Sequence, residues 1–379
     1  MYRKLLPFFV VLSSLLCACF RQKSDVQKEA GDTLCLKYAE NISIVKYEAY
    51  TIVELKDPWH QDKVLNRYVL THGMADSTLP KGTVVRVPLQ RAVSFNTAHA
   101  SLAGMLGATN QIKGVADLKF MLLPAIQQRV RDGRIIDCGD AMAPDIEKII
   151  DLKADAVLLS PFENSGGYGR LENIGVPIIE CADYMETSAL GRAEWMKFYG
   201  LLFGKEHEAD SLFTVVDSSY HALSALAHQQ QIQSPNQRIP TIITEKLTGS
   251  TWYVPGGKSS VGQLIADANG SYAWKTDKHS GSLALPFETI LDKAGNADLW
   301  LFNDYNEQPM TYDRLAAEYH GYTMMKAFKK KNVWYVNSLK VPYFEEVSFR
   351  PDQLLKDYII LLHPALLKEQ PRYYRKLNE

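Results

Sequence analysis

The sequence holds a few segments that could do chemistry, and each falls short of a catalytic pattern. Gly256-Gly257-Lys258-Ser259 has the ending of a phosphate-cradling loop, in which backbone N–H groups and a lysine hold a nucleotide. That loop also needs a glycine five residues ahead of its last one, and Trp252 stands there. No Gly-x-Ser-x-Gly turn is present to expose a nucleophilic serine. The nine histidines are scattered, without the helix spacing that turns two imidazoles toward one zinc ion. No Cys-x-x-Cys or mixed Cys/His spacing suits zinc either. A bare transition-metal site would need several His, Asp or Glu side chains converging; His99 and His279 are its candidates, and no third ligand stands out. The residues thus predict a protein that recognises rather than transforms: no catalytic residue, no metal site and no cofactor of its own.

The N-terminus reads as an address. Met1-Tyr2-Arg3-Lys4 precedes an apolar run over residues 5–16, the order of a secretory signal. The run is shorter than the roughly 20 residues that span a bilayer. It ends in Leu16-Cys17-Ala18-Cys19, which resembles the lipobox of bacterial lipoproteins. That resemblance implies cleavage after residue 18 and lipid on Cys19, an anchor made durable by about 0.8 kcal/mol per buried methylene. Cys35, Cys138 and Cys181 are then the thiols left in the mature chain. One disulfide among them is open, and the spacing selects none. Residues 19–33 read as a flexible tether. Phe20-Arg21-Gln22-Lys23 carries no acidic run, so the choice between inner and outer membrane stays open.

The rest has globular composition, 46% hydrophobic and 22% charged, with a net charge of -1 that leaves no basic excess for nucleic acid. Roughly 340 residues exceed what one core usually serves, so two lobes are expected. Residues 34–88 show strand patterns and turn signals, a small hairpin or meander. From Arg91 the rhythm becomes strand, helix, strand, helix, which argues for largely parallel α/β sheets. Residues 206–229 carry Ala209, Leu212, Phe213, Val216, Tyr220, Leu223 and Leu226 at helical spacing, a long and nearly uninterrupted pattern. Residues 145–159 and 287–302 echo one another: Glu, an apolar pair, Asp, a short link, Ala-Asp, then an apolar strand. The expected fold class is α/β: two α/β lobes, 89–204 and 236–366, bridged by one long helix over 205–232. A β extension over 34–88 precedes them and a tail over 367–379 follows.

At this point the chain resembles a known family. Arg91-Ala92-Val93-Ser94, Leu106-Gly107-Ala108, Glu147-Lys148-Ile149, Leu152-Lys153-Ala154-Asp155, Leu171 through Pro177 and Leu202-Phe203-Gly204-Lys205-Glu206 match its motifs in order. Phe349-Arg350-Pro351 and Leu362-His363-Pro364 match its last helix. The chain is similar to the substrate-binding proteins of ABC importers for ferric siderophores, haem and cobalamin, over about residues 84 to 366. The resemblance implies a monomeric, lipid-anchored periplasmic receptor that passes an iron- or cobalt-containing ligand to a permease and its ATPase. It also implies that Glu147 and Glu288, one per lobe at helix starts, dock onto basic residues of that permease. Thr97 and Ser101 stand where the family often shows Pro and Glu, a departure from its pattern. A receptor for a bare transition-metal ion and a surface scavenging lipoprotein remain the alternatives.

The ligand is expected between the lobes, outside the carboxyl ends of the strands. Phe95, Asn96, Thr97, Phe162 and Tyr168 are the first lobe's candidates, and Trp252, Tyr253, Ser282 and Tyr343 the second's. Trp252-Tyr253 is the favoured pair, since aromatic faces suit a large flat ligand. Phe120 and Phe344 read better as core packing, and Arg170 and Lys258 as solvated surface.

Overall fold

The strand and helix alternation is built as two lobes in the computed structural model, which describes residues 31–378 apart from 61, 74–78, 164–166, 234, 235 and 237. The signal, Cys19 and most of the tether lie outside the described residues. In the first lobe the strands Ile178–Glu180, Ala156–Leu159, Ala92–Ser94, Ile112–Val115 and Ile136–Asp137 lie side by side in that order, all parallel. Ala156–Leu159 is buried along its whole length, which is why its sequence is an apolar run rather than an alternation. In the second lobe Ser271–Tyr272, Thr241–Thr244, Leu299–Asp304 and Val333–Asn337 are parallel neighbours. The repeated unit is structural in both lobes: helix Ile146–Asp151 leads into strand Ala156–Leu159, and helix Phe287–Ala294 into strand Leu299–Asp304.

The bridging helix is Glu206–Gln233. Its 28 residues make a rod of about 42 Å at the helical rise of ~1.5 Å per residue. Gly204, left-handed at φ 64°, ends the preceding helix Met196–Phe203 and lets the chain turn into it. Ala209, Phe213, Val216, Tyr220 and Ala227 form its buried stripe. One end packs on Met196–Phe203 of the first lobe, and the stripe continues onto Pro351–Leu362 of the second.

Two segments differ from expectation. The extension is more than a meander: Asp32–Thr33, Ile42–Lys46, Tyr50–Lys56 and Val64–Thr71 are antiparallel, but Thr83–Arg86 adds in parallel to Val64–Thr71. Its apolar face, including Ile44, Val53, Leu55 and Tyr68, joins the main core. The expected tail is also folded. Arg375–Lys376 pairs antiparallel with Val333–Asn337, because Tyr373, Tyr374 and Leu377 bury their side chains and carry the backbone onto the sheet edge. Cys35, Cys138 and Cys181 are free thiols, the last two buried.

Candidate ligand-binding cleft

The first wall grows from the end of strand Ala92–Ser94. Asn96 stops the strand and caps helix Thr97–Met105, its side-chain oxygen accepting the Ala98 N–H at 2.8 Å. Its amide donates to Ser160 Oγ at 3.0 Å, tying this loop to the end of strand Ala156–Leu159. Phe95, Asn96 and Thr97 face a cavity of about 550 Å³ between the lobes, with Phe120 and Arg192 beside them and Glu245, Asn303, Tyr343 and Phe344 opposite. Phe120 meets Tyr305 of the second lobe edge-on, ring centroids 5.6 Å apart. A second cavity of about 610 Å³ lies on the other side of Phe95 and Asn96, lined by Met142, Phe162, Tyr168 and Arg170. The Tyr168 hydroxyl donates to Glu180 Oε1 at 2.7 Å.

Charge is arranged unevenly across the cleft. Behind the first wall, Asp183 is buried; burial alone would raise its carboxyl, but Arg192 and His99 hold it below the ordinary range. Arg192 Nε donates to Asp183 Oδ2 at 3.0 Å, and His99 Nε2 lies 3.0 Å from Oδ1. On the second wall, burial pushes the Glu245 carboxyl up to about 7. Glu245 sits at a left-handed φ of 67°, a strained conformation for a residue with a side chain. Its backbone is pinned there: Glu245 N–H donates to Leu301 O at 2.8 Å, and Trp300 Nε1 donates to Glu245 O at 2.7 Å.

The structure places the candidates unevenly. Phe95, Asn96, Thr97 and Tyr343 line the inter-lobe cavity, and Phe162 and Tyr168 the adjoining one. Trp252, Tyr253 and Ser282 line neither. They belong to a small antiparallel sheet, Leu247–Thr248, Thr251–Pro255 and Ser282–Leu285. Strand alternation turns Trp252 wholly inward, where its indole donates to Thr244 O at 2.9 Å and packs on Phe287, Trp300 and Tyr322. Tyr253 is turned out to solvent. Phe120 and Phe344, read as packing, are 42% and 52% exposed and line the cavity. Glu245 and Asn303 were missed, although both follow strand ends or sit within them, where the strand-end rule points.

Neither histidine lines the two cavities: His99 is buried against Asp183, and His279 pairs with Asp277 at 3.0 Å. Among the described residues no three His, Cys, Asp or Glu side chains converge on a metal position. Glu147 lies in the first turn of helix Ile146–Asp151, 69% exposed, and accepts from Arg170 Nη2 at 2.8 Å. Glu288 occupies the first turn of helix Phe287–Ala294 and is exposed.

Two lobes on one stiff helix with an aromatic-lined cleft define a solute receptor. Residues 93–338 match the family described as periplasmic binding protein, and the chain belongs to that family. As a member of that family it is a binding protein, one that takes up a solute rather than transforming it. It is 23% identical over 380 residues to an uncharacterised lipoprotein of Methanocaldococcus jannaschii, covering 92% of this chain and 87% of that one. Its fold is similar to a possible iron-binding (periplasmic solute-binding) protein from Staphylococcus epidermidis, with TM-score 0.56, 17% identity and coverage of 73% and 99% of the two chains. It is also similar to a periplasmic haem-binding protein from Pseudomonas aeruginosa, with TM-score 0.56, 13% identity and coverage of 76% and 99%. Among the described residues no helix is long and apolar enough to cross a membrane.

Proposed function

We propose that this protein is the lipid-anchored receptor of an ABC importer for a ferric siderophore or a cobalamin-like ligand. The observation that carries this is the inter-lobe cavity of about 550 Å³, with the rings of Phe95, Phe120, Tyr343 and Phe344 on its walls. Apolar rings on both sides of a cleft suit a large, partly conjugated metal complex. The ligand is captured without chemistry. Lipid on Cys19 holds the lobes at a membrane surface, and Glu147 and Glu288 meet basic residues of the permease, with the protein acting as a monomer. Charge steering of this kind speeds encounter more than it deepens affinity.

Titration calorimetry of the purified protein against ferric siderophores, haemin and cyanocobalamin tests the reading. One of them binds stoichiometrically, and Phe120→Ala weakens that binding. If none of these ligands gives a saturable heat, the assignment fails. Trp252 is too deeply buried to serve as a fluorescent reporter of the cleft.

A further inference from the structure

Three buried carboxylates of the first lobe are each met by several donors. Glu194 takes the backbone N–H groups of Lys37, Tyr38 and Ala39 and the Lys197 ammonium. Glu186 takes those of Glu40 and Asn41 and the Trp195 indole. Asp183 is met by Arg192 and His99. Glu245, half-buried on the cavity wall, is met by fewer donors. Among the described residues no lysine, arginine or histidine pairs with it. Its donors are the neutral amides of Asn303: the side chain, at a long 3.4 Å, and the backbone. The phenols of Tyr272, Tyr343 and Tyr358 stand close enough to feel its charge and supply no cation. Beside it the buried Asn303 Oδ1 accepts no hydrogen bond.

Both groups line the cavity, and Asp117 adds a second carboxyl to its wall. Arg192, the one cation among the described residues lining this cavity, is committed to Asp183. The residues lining the cavity therefore offer acceptors and carboxyl groups with no uncommitted cation among them, while the Lys119 ammonium lies outside this lining, 4.9 Å over the Phe120 ring. A polyanion entering it would leave Glu245 uncompensated in a low-dielectric wall, which is costly. A donor or cation would complete it. We infer that Glu245 is the polar anchor of the cleft, and that the captured ligand is a neutral or cationic metal complex presenting ammonium, amide N–H or hydroxyl donors, not a polyanionic one. This rests on the proposed reading of the cleft and narrows it.

The test is calorimetric titration at pH 8 with four probes: ferrioxamine B, which carries an ammonium; cyanocobalamin, neutral with an amide rim; haemin, with two propionates; and ferric enterobactin, triply negative. Ferrioxamine B or cyanocobalamin binds at least about tenfold tighter than either anion, and Glu245→Gln weakens that ligand by about ten- to a hundredfold, as expected for a charge-assisted hydrogen bond. Thermal melting checks that the variant folds. A second arm uses the native protein alone. Burial holds the Glu245 proton up to about 7, and a donor selects the ionised carboxylate, so affinity falls about tenfold from pH 8 to pH 6. That fall disappears in Glu245→Gln. Tightest binding by haemin or ferric enterobactin, an unchanged affinity in the variant, or a flat native pH profile overturns the inference while the receptor assignment stands. Binding of none of the four removes both.

Discussion

Glu345 of the second lobe accepts the backbone N–H of Leu122 of the first at 2.6 Å, and that of Leu123 at 3.1 Å. Those two amides begin the approach to helix Pro124–Arg131, so one side chain ties the lobes at a point away from the bridging helix. Burial raises the Glu345 carboxyl above the ordinary glutamate range, and the Leu122 and Leu123 amides counter it. Removing the acceptor leaves two partly buried donors unpaired, at about 1–3 kcal/mol. Glu345→Ala accordingly lowers the melting temperature and speeds hydrogen exchange at Leu122 and Leu123. Unchanged exchange at those two amides would show that the tie does not hold the lobes.

Glu245 should cost stability in the empty protein. Its folded-state carboxyl titrates at about 7, above the ordinary 4.5. Between those values the folded chain keeps a proton that the unfolded chain has released, so stability falls as pH rises through that window. The loss is about 3 kcal/mol. Glu245→Gln escapes it. The variant melts several degrees above the native protein at pH 8, with the gap closing toward pH 4.5. A variant less stable than the native protein at pH 8 would contradict the placement there of a carboxyl with no cationic partner.

Trp252 and Phe120 separate packing from recognition. Trp252 is fully buried among Phe287, Trp300 and Tyr322, so Trp252→Ala costs about 3–5 kcal/mol. Phe120 is 42% exposed, and Phe120→Ala costs less than about 1 kcal/mol of stability while weakening ligand binding. Melting curves and calorimetry on the two variants decide the assignment; equal stability losses would merge the roles.

That pair also shows what the sequence could reveal. Phe95-Asn96-Thr97 was legible because an apolar strand precedes it and a helix cap follows, and strand ends are where clefts form. The two lobes and the bridging helix were legible from periodicity that buries one stripe. Trp252 was not, because residue type says aromatic without saying which face of a strand it takes. Thr251-Trp252-Tyr253-Val254 alternates with period two, and that alternation, not the aromaticity, carries the position. Glu245 gave only its place after a strand end; that its donors are the neutral amides of Asn303, with no cation paired to it among the described residues, is set by the fold. The last strand hid behind Lys368, Glu369 and Arg372, although the adjacent Tyr373 and Tyr374 are what bury it.

Docking is testable without disturbing the cleft. Glu147 already pairs with Arg170, both side chains well exposed at 69% and 75%. An ion pair of that kind is worth at most about 1 kcal/mol, so a permease cation can displace Arg170 cheaply. The double variant Glu147→Arg with Glu288→Arg abolishes uptake of labelled ligand in cells or proteoliposomes and leaves the ligand's dissociation constant within twofold. Undiminished uptake by the double variant would remove both residues from the permease contact.

The extension is held to the first lobe by backbone donors reaching buried acids. Lys37, Tyr38 and Ala39 give their N–H groups to Glu194, at 3.0, 2.7 and 3.0 Å, and Glu40 and Asn41 give theirs to Glu186. Neither acid is exposed enough for water to replace it. Glu194→Ala strands three donors at once and costs about 3 kcal/mol or more. Glu186 still holds the next two residues, so the extension stays attached while exchange at residues 37–39 accelerates. Combining Glu186→Ala with Glu194→Ala removes both buried acceptors and leaves side-chain ties, from Lys37 and Tyr38 to Asp217 and from Asn41 to Met185 O, and limited proteolysis then cuts between Tyr38 and Ile42. Protection of that segment in the double variant would mean that the apolar face of the sheet, with Ile44, Val53 and Tyr68 in the common core, is sufficient to hold the extension in place.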